Sequence, residues 1–443
     1  MADPKQAASP AEAFWTLDPF AVVKPGDPWF VDLEAVLPRE HYGVSKKLRR
    51  HLGPAAQRPE FVHIGLMGHA GTGKTTLARS ALADLSREGL TPVYIDALQA
   101  FDNADFRFSD AVLVLVEAVV SHLADHRKEL DPALAKTVRN WFADELILES
   151  QKKAIEGTIE TSAEAKSMIP LLATFSAKIK GALKSDNEYR TEIRRRAERD
   201  PVELIRRTNL LLDGAHEALA SRKLVVVFDN LEKMDPELVD RAIIQRADEL
   251  RKLRANVLFF FNPASEYAPS TVHASSAFTC INVPVMPVRF PGDPDDMVRP
   301  EARDAIEHLL SQRLLLDKVF EDPSAAIERL ARISGGHLRH IFQVARRAVE
   351  ETEPDPVTMA ALEKAARWWG TRMTASLQPD DFPRAVTIHR THKILDTVQD
   401  RRMLRMSCVL AYDGEGWWDM HPGIRADPLF QAALEKADAG YGE

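Results

Sequence analysis

The chain has 443 residues, 45% hydrophobic and 28% charged, with a net charge of −8, a balance that suits an ordinary globular protein of two or three domains and excludes a fibrous repeat or a disordered chain. Its two cysteines, Cys280 and Cys408, stand far apart in apolar segments, which excludes a disulfide framework and a thiolate zinc site. No apolar run reaches the roughly 18 residues needed to cross a bilayer, MADPKQAASPAEAF lacks an export signal's basic region and apolar stretch, and the acidic net charge gives no general pull toward nucleic acid; a cytoplasmic location with no membrane partner is expected.

In chain order, residues 1–57 mix proline with Trp15, Phe20, Trp29 and Phe30 and read as an extended arm packed on a domain. FVHIGLMG from Phe61 reads as a strand, the text from Lys74 to Leu85 as a helix, and Pro92 to Ile95 as a strand that ends at Asp96. Charged text at helical spacing then runs from about 106 to 220 without a strand signal, so it reads as a helical insertion. Within it Arg190, Arg194, Arg195, Arg196 and Arg199 alternate with glutamates, the pattern of a solvated helix face. Strands resume at Lys223–Phe228, Asn256–Phe261 and Phe278–Val285, with a helix over Pro236 to Leu253. Near-continuous apolar strands of this kind suit a parallel sheet covered on both faces, giving an α/β core over residues 58–290. Helices at Glu301–Leu316, Ser324–Ile333 and Leu338–Glu351 make a helical lid over 291–355, and a C-terminal region over 356–443 opens with a helix from Val357. That region reads further as a helix and a β-hairpin, with Met403–Tyr412 before Asp413-Gly414-Glu415-Gly416 and Trp417–Met420 after it, the parts of a small winged-helix-like domain. Trp417, Trp418, His421 and Pro422 read as hairpin core, with recognition of a base or a partner as the alternative.

The chemistry centres on GHAGTGKT, Gly68 to Thr75, placed between a strand and a helix where a phosphate-binding loop belongs. Gly68, Gly71 and Gly73 permit a curl whose N–H groups face inward, and the following helix adds its positive end. His69, Ala70 and Thr72 fill the intervening positions, with no chemistry assigned to the His69 ring, and Thr76 follows the motif. Lys74 supplies a cation for the β- and γ-phosphates, and Thr75 offers a hydroxyl to magnesium. The expected ligands are therefore ATP and Mg2+, with Asp229, the acid closing VVVFD, as the second metal residue. Asn230 stands next, where vigorous ATPases carry a glutamate. Glu232 is either the base that replaces it or a charge at a helix start. Asn262 in FFFNP either orients the attacking water or opens a turn, and Arg339 in SGGHLRH either reports on the phosphates or sits at the surface. Arg241, Arg246, Arg251 and Arg254 are candidates for an arginine offered to a neighbouring subunit, and spacing selects none of them.

This order of parts resembles the AAA+ and STAND-type ATPases over roughly residues 30 to 424, and within them the bacterial branch near the replication initiators. The resemblance implies a sheet order of 51432, and it implies that Lys74, Thr75, Asp229, Asn262 and Arg339 are the P-loop lysine, the magnesium hydroxyl, the Walker B aspartate, sensor 1 and sensor 2. YDGEGWWDMHPGI, Tyr412 to Ile424, is similar to a closing motif of bacterial AAA-family ATPases, several of them associated with anti-phage defence. Asn230 departs from the unfoldase and clamp-loader pattern and is more similar to the switch-like STAND branch. The expected function is a slowly hydrolysing regulatory ATPase that acts on a protein partner or on its own assembly. The alternatives are a DNA-associated ATPase that assembles on duplex through its winged element, and an interaction module that binds nucleotide without hydrolysis.

Overall fold

Five apolar runs form one parallel sheet in the computed structural model, which describes residues 6–37, 42–141, 168–184, 188–267, 273–294, 297–412 and 416–439. The strands are β1 His63–Met67, β2 Leu90–Asp96, β3 Lys223–Asp229, β4 Asn256–Phe261 and β5 Thr279–Asn282. Their order is β2-β3-β4-β1-β5, the expected 51432 read from the other edge. The register sets Asp96 opposite Asp229 and Met67 opposite Phe261 and Asn282, so the strand ends that carry polar residues form one rim. At the entering end, Asn256 accepts from Val62 N at 3.0 Å and donates to the Leu224 carbonyl at 3.1 Å, which pins β1, β3 and β4 together.

Central strands β1 and β4 are buried along their whole length because helices cover both faces of the sheet. On one face, alternate residues Phe228, Phe259 and Phe261 pack with Phe278, with ring centroids 5.1–5.9 Å apart. The insertion closes this face with helices Phe108–Asp125, Pro132–Trp141, Met168–Lys184, Glu188–Arg199 and Pro201–Ala218. Helix Phe108–Asp125 is buried almost all round, as its position between the sheet and an outer helical layer requires. Insertion residues 142–167 and 185–187 lie outside the described residues.

Three expectations need correction. Arg190 and Arg194 are buried rather than solvated: Arg190 pairs with Asp102 at 2.5 Å, and Arg194 pairs with Asp110 at 2.5 Å and with Asp105. The helix expected over 236–253 breaks into Pro236–Val239, a π turn at Asp240–Ile244 and Ala247–Leu250, where Gln245 N bonds the Asp240 carbonyl at 2.9 Å. The last strand stops at Asn282, because Pro284 has no N–H for a ladder and Val285 N turns to the Ala411 carbonyl at 2.9 Å.

The other face carries helix Lys74–Arg87, the lid and the C-terminal region. The lid helices are Pro300–Ser311, Pro323–Ser334 and Leu338–Thr352. Gly335 at φ +59° ends the second, and at Gly336 a Cβ would lie 2.0 Å from the Met286 carbonyl oxygen, so this turn has room for glycine alone. Helices Met359–Thr374, Phe382–Thr391 and Val398–Arg405 precede the antiparallel pair β6 Val409–Ala411 and β7 Trp418–Met420. The expected helix and hairpin are therefore present, although a helix takes residues 403–405 and the turn at 413–415 lies outside the described residues. Helices Pro422–Arg425 and Pro428–Ala439, which follow the hairpin, were not foreseen. Trp417 is buried against Tyr412 at 4.6 Å, as a core residue. The arm, expected to be extended, carries helices Pro10–Thr16 and Val44–Ala55, and its start is docked on the lid: Ala7 N bonds the Arg313 carbonyl at 2.8 Å, and Leu315 N bonds the Ala7 carbonyl at 2.9 Å. Among the described residues no helix is long and apolar enough to cross a membrane.

Candidate nucleotide-binding site

The chain leaves β1 at Met67, curls through residues 68–73 and enters the helix at Lys74. Gly71 at φ +93° and Gly73 at φ +88° occupy left-handed backbone that other residues adopt only under strain. Gly68 is required for space, since a Cβ there would lie 2.7 Å from the Val283 carbonyl oxygen. The first N–H groups of the 14-residue helix have no partner within it and face the loop, which makes this end an anion site.

Lys74 is buried, and its Nζ donates to the carbonyls of Gly68 at 2.8 Å and His69 at 2.7 Å. Glu232 Oε1 lies 3.3 Å from the same ammonium, and both side chains are almost fully enclosed. Burial pulls the lysine pKa down and the Glu232 carboxylate draws it back up. The other glutamate oxygen, Oε2, is buried without a hydrogen-bond partner. Asp229 Oδ1 accepts from Thr75 Oγ1 at 2.9 Å and from Asn230 N at 2.8 Å, and burial, then the nearby Glu232 charge, raises its pKa.

A hydroxyl and a carboxylate that meet at 2.9 Å beside a buried ammonium form a hard-oxygen donor set that fits magnesium phosphate. Thr75 and Asp229 would hold the ion. When bound, it neutralises charge on the phosphate oxygens.

Asn230 adopts φ +65° and turns its amide away from the loop to donate to Asp96 Oδ1 at 2.8 Å. Asp96 was missed as a site neighbour, although the signal that selects Asp229, an acid at the end of an apolar strand, also marks Asp96. Asn262 is buried one layer back: its Oδ1 accepts from Ala264 N at 2.9 Å, as a turn residue does, while its Nδ2 reaches the Glu232 carbonyl at 3.5 Å. Arg339 comes to the loop: its backbone N donates to the Gly71 carbonyl at 3.3 Å, and a Cβ at Gly71 would lie 2.9 Å from its Nε. Burial lowers the Arg339 pKa and Glu232 raises it. Arg241, Arg246, Arg251 and Arg254 each have a partner within the chain.

A cavity of about 250 Å³ opens here, lined by Gly71, Gly73, Lys74, Thr75, Thr76, Asp229, Asn230, Glu232 and Arg339. Gly68, His69, Ala70 and Thr72 do not line it, and the His69 ring faces the C-terminal region instead. The remaining wall is the arm, which sequence reasoning packed on a domain without bringing it to the loop. Phe20, Val22, Val23, Trp29 and Phe30 line the cavity, Val23 accepts from Thr76 Oγ1 at 3.1 Å, and the Phe20 ring lies 5.3 Å from the Arg339 guanidinium. Arg313, buried between Trp29 and Phe342 at 4.9 and 4.4 Å, donates to the Thr16 carbonyl at 2.9 Å and fastens the arm.

A family model described as the AAA ATPase domain matches residues 44–259. The chain carries a P-loop ATPase domain of the AAA type. The matched stretch spans β1, β2, β3 and the first four residues of β4, including the phosphate loop and Asp229, and ends before Asn262. Among solved structures, Cdc6p from Pyrobaculum aerophilum is similar at 12% identity over 96% of this chain and 98% of that one, with a TM-score of 0.38, a likeness too loose to assign any residue a role. No curated protein sequence matches the chain.

Proposed function

We propose that this AAA domain works as a slow, magnesium-dependent ATP switch in which Lys74 changes partners. The observation that carries this reading is the buried Lys74–Glu232 pair at 3.3 Å, coupled with an amide rather than an acid at Asn230. A phosphate in the loop competes for the ammonium with the carboxylate and with two carbonyls. Once Lys74 turns to the phosphates, Glu232 loses its counter-ion, and its carboxylate can take a proton from a water aimed at the γ-phosphorus. The water oxygen then bonds to phosphorus, the bond to the ADP oxygen breaks, and the proton remains on Glu232 until solvent removes it. Asn230 can accept no proton, so the residue next to the metal acid adds nothing to this step, which is the reason for slow turnover. Arg339, packed on Gly71, lies where loss of a phosphate would change its partners, and the apolar arm suits the flat face of a nucleobase. The state is read by a protein partner or by another copy of the chain.

The test is single-turnover hydrolysis of Mg-ATP by the full chain. Glu232→Gln should keep nucleotide affinity and lower the rate by about 10²–10⁴-fold, and Lys74→Ala should abolish binding. Unaided steady-state turnover faster than about 1 s⁻¹ would remove the switch reading. Unchanged hydrolysis in Glu232→Gln would pass the role of base to Asp96.

A further inference from the structure

The phosphate chemistry leaves the His69 ring unused, and the fold has buried it completely against the C-terminal region. Its Nε2 accepts from the Ala411 backbone N–H at 3.2 Å, while Nδ1 lies 3.3 Å from Ser407 Oγ and the ring also bonds the Leu404 backbone. A backbone N–H can only donate, so the network assigns the proton of the neutral ring to Nδ1. Further in, the His337 ring stands 6.5 Å from His69 and stacks on His340 at 3.6 Å. His340 Nδ1 meets His421 Nε2 at 2.9 Å, and His421 Nδ1 accepts from Gly423 N at 3.0 Å, so His421 is the donor in that pair. The packing around these rings is tight: a Cβ at Gly335 would lie 2.6 Å from Tyr412 Oη, and one at Gly370 would lie 2.8 Å from the Gly423 carbonyl oxygen. Among the described residues no such group is placed to hold a metal ion, which leaves the four imidazoles as a joint between phosphate loop, lid and hairpin.

We propose that His69 is a positioning residue that couples nucleotide occupancy to the hairpin strand β6. Its carbonyl holds Lys74 Nζ at 2.7 Å while its ring holds Ala411, so one residue grips the cation that moves and the strand that responds. Phosphate removes the charged donor from the His69 carbonyl, the peptide relaxes, and the ring carries the change to Ala411. This inference rests on the partner exchange of Lys74 proposed above.

Hydrogen–deuterium exchange on the full chain, with and without saturating magnesium and a non-hydrolysable ATP analogue, tests it by following residues 68–80 and 404–412 separately. In the wild type both segments should change exchange rate on nucleotide addition, by threefold or more at 404–412. His69→Asn cannot place an acceptor at the Nε2 position and should keep the response at 68–80 while losing it at 404–412. His69→Gln reaches that position with its amide oxygen and should restore the response, which a merely structural loss would not allow. A full response at 404–412 in His69→Asn, or none in the wild type while 68–80 responds, overturns the coupling. No response at 68–80 in the wild type instead overturns the nucleotide reading beneath it.

Discussion

Lowering the pH from 7.5 to 5.5 should destabilise this protein steeply, because four imidazoles are buried together without a carboxylate partner. Burial holds His69 and His421 down to about 3, helped by Lys74 and Arg425 respectively. Burial also keeps His337 and His340 well below the ordinary value, each further lowered by its neighbouring histidines. In the unfolded chain each titrates near 6.5, so below that value the unfolded state binds more protons than the folded one. The stabilising contribution is therefore complete above about pH 6.5 and is lost progressively as pH falls toward the folded values. At pH 5.5 each histidine accounts for about 1 kcal/mol, and the four for several, against the roughly 5–15 kcal/mol that holds a typical domain folded. Asp110 and Asp229, whose pKa values burial raises, act in the opposite sense, while His63 and His216, both held down to about 4 by burial, add to the loss. Urea unfolding at pH 7.5, 6.5 and 5.5 measures the slope. His337 gives the sharpest control, because neither of its ring nitrogens has a hydrogen-bond partner and a leucine there breaks no bond. His337→Leu should be neutral or stabilising at pH 7.5 and should reduce the loss at pH 5.5 by about 1 kcal/mol. A stability that stays flat over this range, or an unchanged slope in His337→Leu, refutes the reasoning.

Gly71→Ala combines a left-handed φ of +93° with a Cβ 2.8 Å from that of Arg339, so titration calorimetry should show nucleotide affinity at least tenfold weaker, with about 1–2 kcal/mol of strain. Phe20→Ala removes an exposed ring 5.3 Å from the Arg339 guanidinium and should weaken nucleotide binding only a few-fold, in keeping with about 0.5–1 kcal/mol for an exposed cation–π contact. Arg194→Ala strands Asp110 in the interior and should cost about 3–5 kcal/mol in chemical denaturation, whereas Arg195→Ala, at the exposed face of the same helix, should unfold like the wild type.

The contrast between those two arginines shows where the sequence could be read and where it could not. The strands, their parallel pairing, the phosphate loop and Asp229 were legible because each depends on local chemistry: apolar runs, glycines at fixed offsets and an acid at a strand end. Arg190 and Arg194 share the glutamate-rich text of a solvated helix, and only tertiary packing brings the acids of residues 102–110 across to them. The arm failed for the same reason. Its prolines and aromatic residues announced an arm packed on a domain, but not that Val23 would meet Thr76 some fifty residues onward. His69 is the extreme case, since it fills a position the phosphate pattern leaves free and its partner Ala411 is 342 residues away.

The buried lysine is also what would make phosphate site and hairpin one device in the proposed switch. A charged ammonium enclosed this fully is stable only while it is paired, so in the proposed switch nucleotide binding would exchange one set of partners for another and bury no new cation. Every group that Lys74 leaves is altered by that exchange: Glu232 becomes a free carboxylate, and the Gly68 and His69 carbonyls lose their donor. In that scheme ADP, which lacks the γ-phosphate, would compete less strongly for the ammonium and leave Glu232 closer to its resting pair. On the proposed reading, the same move that readies the base would loosen the residue holding β6, and hydrolysis, by removing the γ-phosphate, would restore both together.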